Sequence, residues 1–99
     1  MTINIKSEGS AIMIVLGGRL DTTTAPELEH KFNIIFDSKK EIIFDFKELE
    51  YISSAGLRVM LLAQKQANKD NIKMKIINVC EEINEIFEMT GFSDILTIE

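Results

Sequence analysis

The stretch from Glu41 to Leu57, EIIFDFKELEYISSAGL, decides the fold of this 99-residue chain. Its first part, Glu41–Phe46, is rich in β-branched and aromatic residues, which predicts a short and mostly buried strand. Its last part is a run of small residues, and the apolar residues that follow have the spacing of one helical face: Leu57, Val59, Met60, Ala63 and Ala67. The stretch therefore predicts a strand that leads, over a short connection, into the N-terminus of an amphipathic helix.

The segments on either side extend this alternation of strands and helices. Four further strands are predicted, around Ile3 and Ile5 and over Ala11–Leu16, Ile72–Val79 and Ile95–Ile98. Gly17-Gly18 is expected to end the second of them. Helices are predicted from Pro26 to Phe36 and over Glu81–Met89. The resulting order is β-β-α-β-α-β-α-β. It predicts one α/β domain over residues 1–99, with a mixed β-sheet whose parallel core is covered by α-helices.

Charge, hydropathy and cysteine content argue against several classes of function. The 11 basic and 16 acidic residues leave a net charge of −5, which argues against a nucleic-acid partner. No apolar run approaches the ~20 residues that span a bilayer, and the N-terminus begins directly in strand-like sequence rather than in a signal peptide. The single cysteine, Cys80, cannot form an intramolecular disulfide and is interpreted as a half-buried structural thiol. A cytoplasmic protein without a membrane partner is expected.

Signals for catalysis are weak. The only histidine, His30, lies on the predicted exposed side of a helix, so neither a zinc site nor a Ser-His-Asp triad can be assembled. Gly17-Gly18 lacks the other residues of a phosphate-binding loop. A hydrolase with Ser53 or Ser54 as nucleophile is disfavoured because the Gly-x-Ser-x-Gly elbow is missing. We expect a protein that is not an enzyme and holds no metal or cofactor.

The run Ser53–Gly56 is the unusual feature. It lies where a predicted parallel strand meets a helix N-terminus, and the free N–H groups and helix dipole at that point stabilise negative charge. A serine here can carry a phosphate of about −1.5 to −2 charge without disrupting its helix. The small side chains of Ala55 and Gly56 would let another protein approach closely. The competing interpretation is a simple helix cap, which is the commonest role of serine at this position.

Two aspartates accompany this run. Asp21 and Asp45 each follow or end a predicted central strand, so parallel packing is expected to bring both to the same sheet edge as Ser54. They would then bind a metal–nucleotide complex or orient the serine hydroxyl. The alternative is a helix cap at Asp21 and a solvated strand-end carboxylate at Asp45.

The residues at this edge resemble a known family. Gly18-Arg19-Leu20-Asp21, the strand through Asp45 and the segment Tyr51–Leu61 are similar to a STAS domain, and more closely to the stand-alone bacterial anti-sigma factor antagonists. The resemblance extends over nearly the whole chain, and its most specific part is Tyr-Ile-Ser-Ser-Ala-Gly-Leu, from Tyr51 to Leu57.

The resemblance implies a partner switch that regulates transcription. The unphosphorylated antagonist binds an anti-sigma factor, which is also a serine kinase using ATP and magnesium, and thereby frees a sigma factor. The kinase then phosphorylates the antagonist, which dissociates, and a serine phosphatase resets the system. The phosphoacceptor position falls on Ser54, and the aspartates of the family map to Asp21 and Asp45.

The chain departs from the family pattern at three positions. Ser53 stands where an acidic residue precedes the acceptor, which makes Ser53 an alternative acceptor. Ala55 stands where a second Ser or Thr is common, and Arg58 where Gly is frequent. The partner-binding set expected from the resemblance comprises Asp21, Asp45, Ser53, Ala55, Gly56 and Arg58. The retained Ser54 favours the antagonist, whereas the departures at Ser53 and Arg58 leave a second interpretation, a non-phosphorylated STAS interaction subunit of another complex, such as a lipid-transport or stress-sensing assembly.

Overall fold

The computed structural model describes residues 1–99 and has one four-stranded sheet in the order β1-β2-β3-β4. The strands are β1 (Thr2–Glu8), β2 (Ala11–Leu20), β3 (Glu41–Ile52) and β4 (Met74–Ile77). The helices are α1 (Ala25–Glu29), α2 (Phe32–Asp37), α3 (Ser54–Lys69) and α4 (Glu81–Thr90), followed by a 3₁₀ turn at Phe92–Asp94. β1 pairs antiparallel with β2, whereas β2, β3 and β4 are parallel, which confirms a mixed sheet with a parallel core and helices.

The core is built from alternate positions of the central strands. Ile14 and Leu16 of β2 and Phe44 and Phe46 of β3 have no exposed surface, whereas Val15 and Asp45, which lie between them, are only partly buried. One face of the sheet therefore carries the core, as the period of two in a strand requires. The helices complete a single cluster of 23 buried residues. Phe87 of α4, for example, packs with its ring centroid 6.3 Å from that of Phe46.

Both central strands are longer than the sequence predicts. β2 continues through Gly17-Gly18 to Leu20, and β3 continues beyond Phe46 to Ile52. Their pairing is irregular on either side of the two glycines, with register shifts between Val15 and Gly17 and between Gly18 and Arg19. The glycines thus allow a distortion within the strand rather than ending it, and Gly18 has the φ of +90° that such a distortion requires.

Three other boundaries differ from prediction. The first helix is divided into α1 and α2 because the N–H of Lys31 bonds to the carbonyl of Leu28, a tighter turn than the α-helical one. Leu28, Ile35 and Phe36 are still buried, so the predicted apolar face persists across the break. The predicted strand Ile95–Ile98 is reduced to one parallel bridge between Ile76 and Ile98, and β4 is shorter than predicted.

Candidate functional site

The site lies where β2 and β3 end side by side and α3 begins. Leu20 and Ile52 are paired as the last residues of their strands, and the N–H of Ser53 donates to the carbonyl of Leu20 at 2.9 Å. Asp21 and Ser53 therefore leave the sheet at the same level. This arrangement confirms that Asp21 and the serine run share one edge of the sheet.

The two serines have different structural roles. Ser53 is the extended N-cap of α3, is half-buried, and accepts a hydrogen bond at Oγ from the N–H of Gly56 at 3.4 Å. Ser54 is the first helical residue, is exposed, and makes no side-chain hydrogen bond. The capping interpretation thus applies to Ser53, while the Ser54 hydroxyl is free and faces solvent.

Gly56 lies on the inner side of the same turn. A Cβ at this position would stand 2.6 Å from the carbonyl oxygen of Leu20 and 2.7 Å from Cγ1 of Ile52, both closer than real contacts allow. Gly56 is buried, so it does not form part of the exposed docking surface that the sequence predicted. Its missing side chain instead allows α3 to approach the ends of β2 and β3.

Asp21 organises the turn that leads into α1. Its Oδ1 accepts hydrogen bonds from the backbone N–H of Thr23 at 3.0 Å and of Thr24 at 3.2 Å. In turn, the Oγ1 atom of Thr24 accepts a hydrogen bond from the N–H of Asp21 at 2.9 Å. The N-cap of α1 is Thr24 itself, so Asp21 stabilises the turn before the helix rather than its first residue.

Electrostatics at Asp21 favour the carboxylate. Desolvation raises the pKa of Asp21, but hydrogen bonds from the Thr24 and Thr23 N–H groups, from the Thr24 hydroxyl and from Arg19 outweigh it and hold the pKa below 3.8, its ordinary value. Nε of Arg19 lies 3.5 Å from Oδ2 of Asp21. This negative charge is therefore already partnered within the chain.

The same arginine contacts an aromatic ring that sequence reasoning did not select. The guanidinium carbon of Arg19 lies 4.1 Å from the centroid of the Tyr51 ring, a cation–π geometry, and both side chains are exposed. Arg19 and Tyr51 are neighbours only because of the shifted register between β2 and β3. No local pattern in the sequence indicates that pairing.

Asp45 lies elsewhere. It is within β3, paired with Val15 and Ile77, and its Oδ1 accepts hydrogen bonds from the N–H of Lys47 at 2.9 Å and from Nδ2 of Asn78 at 3.0 Å. The part of β3 that follows Asp45, which ends at Ile52, extends roughly 20–25 Å along the strand and separates Asp45 from Ser54. The expectation that Asp45 joins Asp21 and Ser54 is wrong, because β3 does not end there.

Ala55 and Arg58 line a shallow groove between α1 and α3. The groove has a volume of about 220 Å³ and is bounded on the α1 side by Pro26 and Glu29. Ala55 is half-buried, whereas Arg58 is exposed and forms no ion pair within 4.0 Å. A cation without a partner therefore lies one helical turn beyond Ser54.

Other sequence candidates are remote from this edge. His30 is exposed immediately after α1, and Cys80 is a half-buried free thiol at the N-cap of α4. No three His, Cys, Asp or Glu side chains are grouped closely enough to hold a metal ion. None of the four helices has the length and apolar character needed to cross a bilayer.

The sequence profile of the STAS domain family matches residues 2–99, so the chain belongs to the STAS domain family. Two relatives of similar length carry the name anti-sigma-B factor antagonist. The one from Bacillus subtilis is 26% identical over 98 residues, covering 99% of this chain and 90% of the relative. The one from Staphylococcus aureus is 28% identical over 101 residues, covering 99% of this chain and 94% of the relative.

Solved structures share the fold. The anti-sigma factor antagonist SpoIIAA, in its unphosphorylated form, superposes with a TM-score of 0.76 at 16% identity and covers 99% of this chain and 87% of its own. The phosphorylated form of Bacillus SpoIIAA gives the same TM-score and identity, covering 99% of this chain and 91% of its own. At this identity the likeness concerns the fold.

Proposed function

We propose that this chain is an anti-sigma factor antagonist that works by partner switching. Its unphosphorylated form binds an anti-sigma factor that is also a serine kinase using ATP and magnesium, and so releases a sigma factor. Phosphorylation of Ser54 then dissociates the complex, and a serine phosphatase restores the binding form. The chain is a binding module and kinase substrate in this scheme, and it acts in the cytoplasm.

The observation that carries the proposal is the division of labour between the two serines. Ser53 is occupied as the cap of α3, while the Ser54 hydroxyl is exposed and makes no hydrogen bond. A kinase can reach Ser54 without removing a structural contact. The names of the two relatives support the antagonist class, and the phosphorylated form of SpoIIAA shows that a protein of this fold can carry a phosphate.

The physical basis of the switch is local. A phosphate on Ser54 adds about −1.5 to −2 charge at an exposed helix start. When a partner covers the N-terminus of α3, the phosphate must lose its bound water. It must also fit a partner surface that is complementary to the neutral hydroxyl. A change of about 1.4 kcal/mol in binding free energy already alters affinity tenfold, so the switch requires no rearrangement of the fold.

The test combines phosphopeptide mass spectrometry of the protein from its own cells with capture of its partners. We expect phosphate on Ser54, and capture of a serine kinase by the unphosphorylated protein. Ser54→Ala should bind that kinase and resist phosphorylation, whereas Ser54→Asp should bind at least tenfold more weakly. Ser53→Ala removes the neighbouring hydroxyl and leaves Ser54 in place, and its stability is measured alongside because it also removes the cap of α3.

Each alternative has its own outcome. Phosphate that persists in Ser54→Ala and disappears in Ser53→Ala would move the acceptor to Ser53. Undiminished kinase binding by Ser54→Asp would contradict the switch. Absence of phosphate in every growth condition, with a constant set of captured partners, would favour a constitutive STAS subunit of another assembly.

A further inference from the structure

We propose that Arg58 is the intramolecular partner of a phosphate on Ser54. The inference rests on the proposed function, since it concerns the state in which Ser54 is phosphorylated. It assigns a regulatory role to an exposed arginine of α3. Both side chains are exposed on α3.

Position brings the two side chains within reach. Ser54 is the first residue of α3 and Arg58 follows four residues later, so they are neighbours on the helix surface with Cβ atoms about 6 Å apart. Side chains on a helix tilt toward its N-terminus, which directs the long arginine side chain back over the first turn. An anion that precedes a cation by four residues is also the favourable order for such a pair.

In the unmodified protein Arg58 and the Ser54 hydroxyl are not engaged: Glu29 lines the opposite side of the groove from Arg58 but forms no ion pair with it within 4.0 Å. Arg58 forms no ion pair within 4.0 Å, and the other arginine near this edge, Arg19, already lies 3.5 Å from Asp21. The first turn of α3 contains no acidic residue, so nothing there occupies Arg58 before phosphorylation. The Ser54 hydroxyl likewise makes no hydrogen bond that a phosphate would have to break.

The phosphate gains two kinds of stabilisation in this arrangement. The free N–H groups and dipole at the start of α3 favour an anion at the first helical residue. Arg58 adds charge-assisted hydrogen bonds, for which its planar guanidinium fits a phosphate well. Phosphorylation therefore changes the surface in two ways. It adds an anion at Ser54, and it pairs Arg58, which otherwise lines the groove between α1 and α3 as an unpaired cation.

The experiment uses the full chain with phosphoserine installed at position 54 during translation, so that no kinase is needed. The second pKa of the phosphate is measured by ³¹P NMR titration in the wild-type protein, Arg58→Ala, Arg58→Lys and Lys65→Ala. Lys65 is the matched control because it is an exposed cation of the same helix, eleven residues beyond Ser54. That spacing corresponds to about 16 Å along the helix axis.

We expect Arg58→Ala to raise the phosphate pKa by about 0.3 pH unit or more, which corresponds to the ~0.4 kcal/mol of an exposed i,i+4 pair at 1.36 kcal/mol per unit. Arg58→Lys should recover part of this shift, and Lys65→Ala should cause none. The difference should shrink in 1 M salt, where the Debye length is about 3 Å. Equal pKa values in the wild type and Arg58→Ala at low salt would overturn the inference.

This outcome is independent of the proposed function. If the protein carries no phosphate in cells but the encoded phosphoserine still pairs with Arg58, the partner switch fails and the local pairing stands. If Ser54 is phosphorylated in cells while Arg58→Ala leaves the phosphate pKa unchanged, the switch stands and the role of Arg58 fails.

Discussion

The N-termini of α3 and α4 occupy equivalent places in the fold but differ in charge. Each helix follows a parallel strand of the same sheet, β3 for α3 and β4 for α4. α4 begins with Glu81 and Glu82 and has a cap, Cys80, that makes no side-chain hydrogen bond. α3 begins with a side-chain cap from Ser53 and has no acidic residue in its first turn.

The difference shows why a phosphate suits one helix start and not the other. Acidic side chains in the first turn compensate the positive end of the helix dipole. At α4 this compensation is permanent, and a further anion would meet two carboxylates. At α3 it is missing, so the site is free to receive an acquired negative charge. The following substitutions probe that contrast and the packing that underlies it.

The largest effect is expected at Gly56. In an exposed helix interior, Gly→Ala stabilises by about 1 kcal/mol through helix propensity. In Gly56→Ala the new Cβ would lie 2.6 Å from the Leu20 carbonyl oxygen, a backbone atom that cannot easily move. Overpacking therefore prevails, and the free energy of unfolding should fall by about 1–3 kcal/mol in urea denaturation. A stabilised Gly56→Ala protein would show that α3 is not held tightly against the strands.

The cap of α3 is expected to have the next largest effect. Ser53→Ala removes the acceptor for the Gly56 N–H and should lower the free energy of unfolding by about 1 kcal/mol. Ser54→Ala is the neighbouring control and should change stability by less than about 0.5 kcal/mol, since its exposed hydroxyl makes no bond. Equal losses in the two variants, measured by the same denaturation, would contradict the distinction between the serines.

Exchanging the first-turn charges of α3 and α4 is expected to have a smaller effect on stability. Ser54→Asp should stabilise the fold by about 0.3–1 kcal/mol at low salt, because it supplies α3 with the first-turn anion that it lacks. Glu81→Gln should destabilise by a similar amount because α4 already depends on such charges. Thermal unfolding at low and high salt measures both. A destabilised Ser54→Asp protein would contradict this expectation, and weaker partner binding by that variant would then report unfolding rather than repulsion.

The smallest expected effect is the contribution of Asp21 to the pH dependence of the free energy of unfolding. The folded-state pKa of this carboxyl is lowered below 3.8, so its stabilising contribution is present above the unfolded-state pKa and is lost as the pH falls through the folded-state value. Asp21→Asn should therefore reduce the loss of stability on acidification below about pH 4. Urea denaturation at pH 5 and pH 3 measures this slope. An unchanged slope would assign acid sensitivity to other carboxylates.

Local features of the site were predictable from the sequence. The small-residue run and the apolar spacing after it indicate the start of α3, and both are properties of neighbouring residues. The sequence also offers Asp21 as a helix cap, and its bonds to Thr23 and Thr24 do lie within one turn, although the cap itself is Thr24. Such contacts follow from local chemistry without knowledge of which strands are neighbours.

Features that depend on the register between strands could not be predicted. The charged segment from Lys47 to Tyr51 lacks the alternation of a regular strand, yet it pairs with β2 through the irregularity at the two glycines. That extension separates Asp45 from the site and brings Arg19 onto Tyr51. The bond between Asp45 and Asn78 joins residues 33 positions apart, which no short-range pattern indicates.

The close packing of Gly56 against the ends of β2 and β3 determines what a kinase would meet at Ser54 under the proposed function. The backbone of Ser54 belongs to a helical turn that is held against β2 and β3. Ser53 hydrogen-bonds to Leu20, and Gly56 packs against Leu20 and Ile52. An enzyme that modifies Ser54 meets a rigid, folded shape rather than a pliable chain that it can draw into an extended cleft. The recognition signal is then the three-dimensional surface of the domain, and a short peptide copied from Tyr51–Leu61 would not carry it.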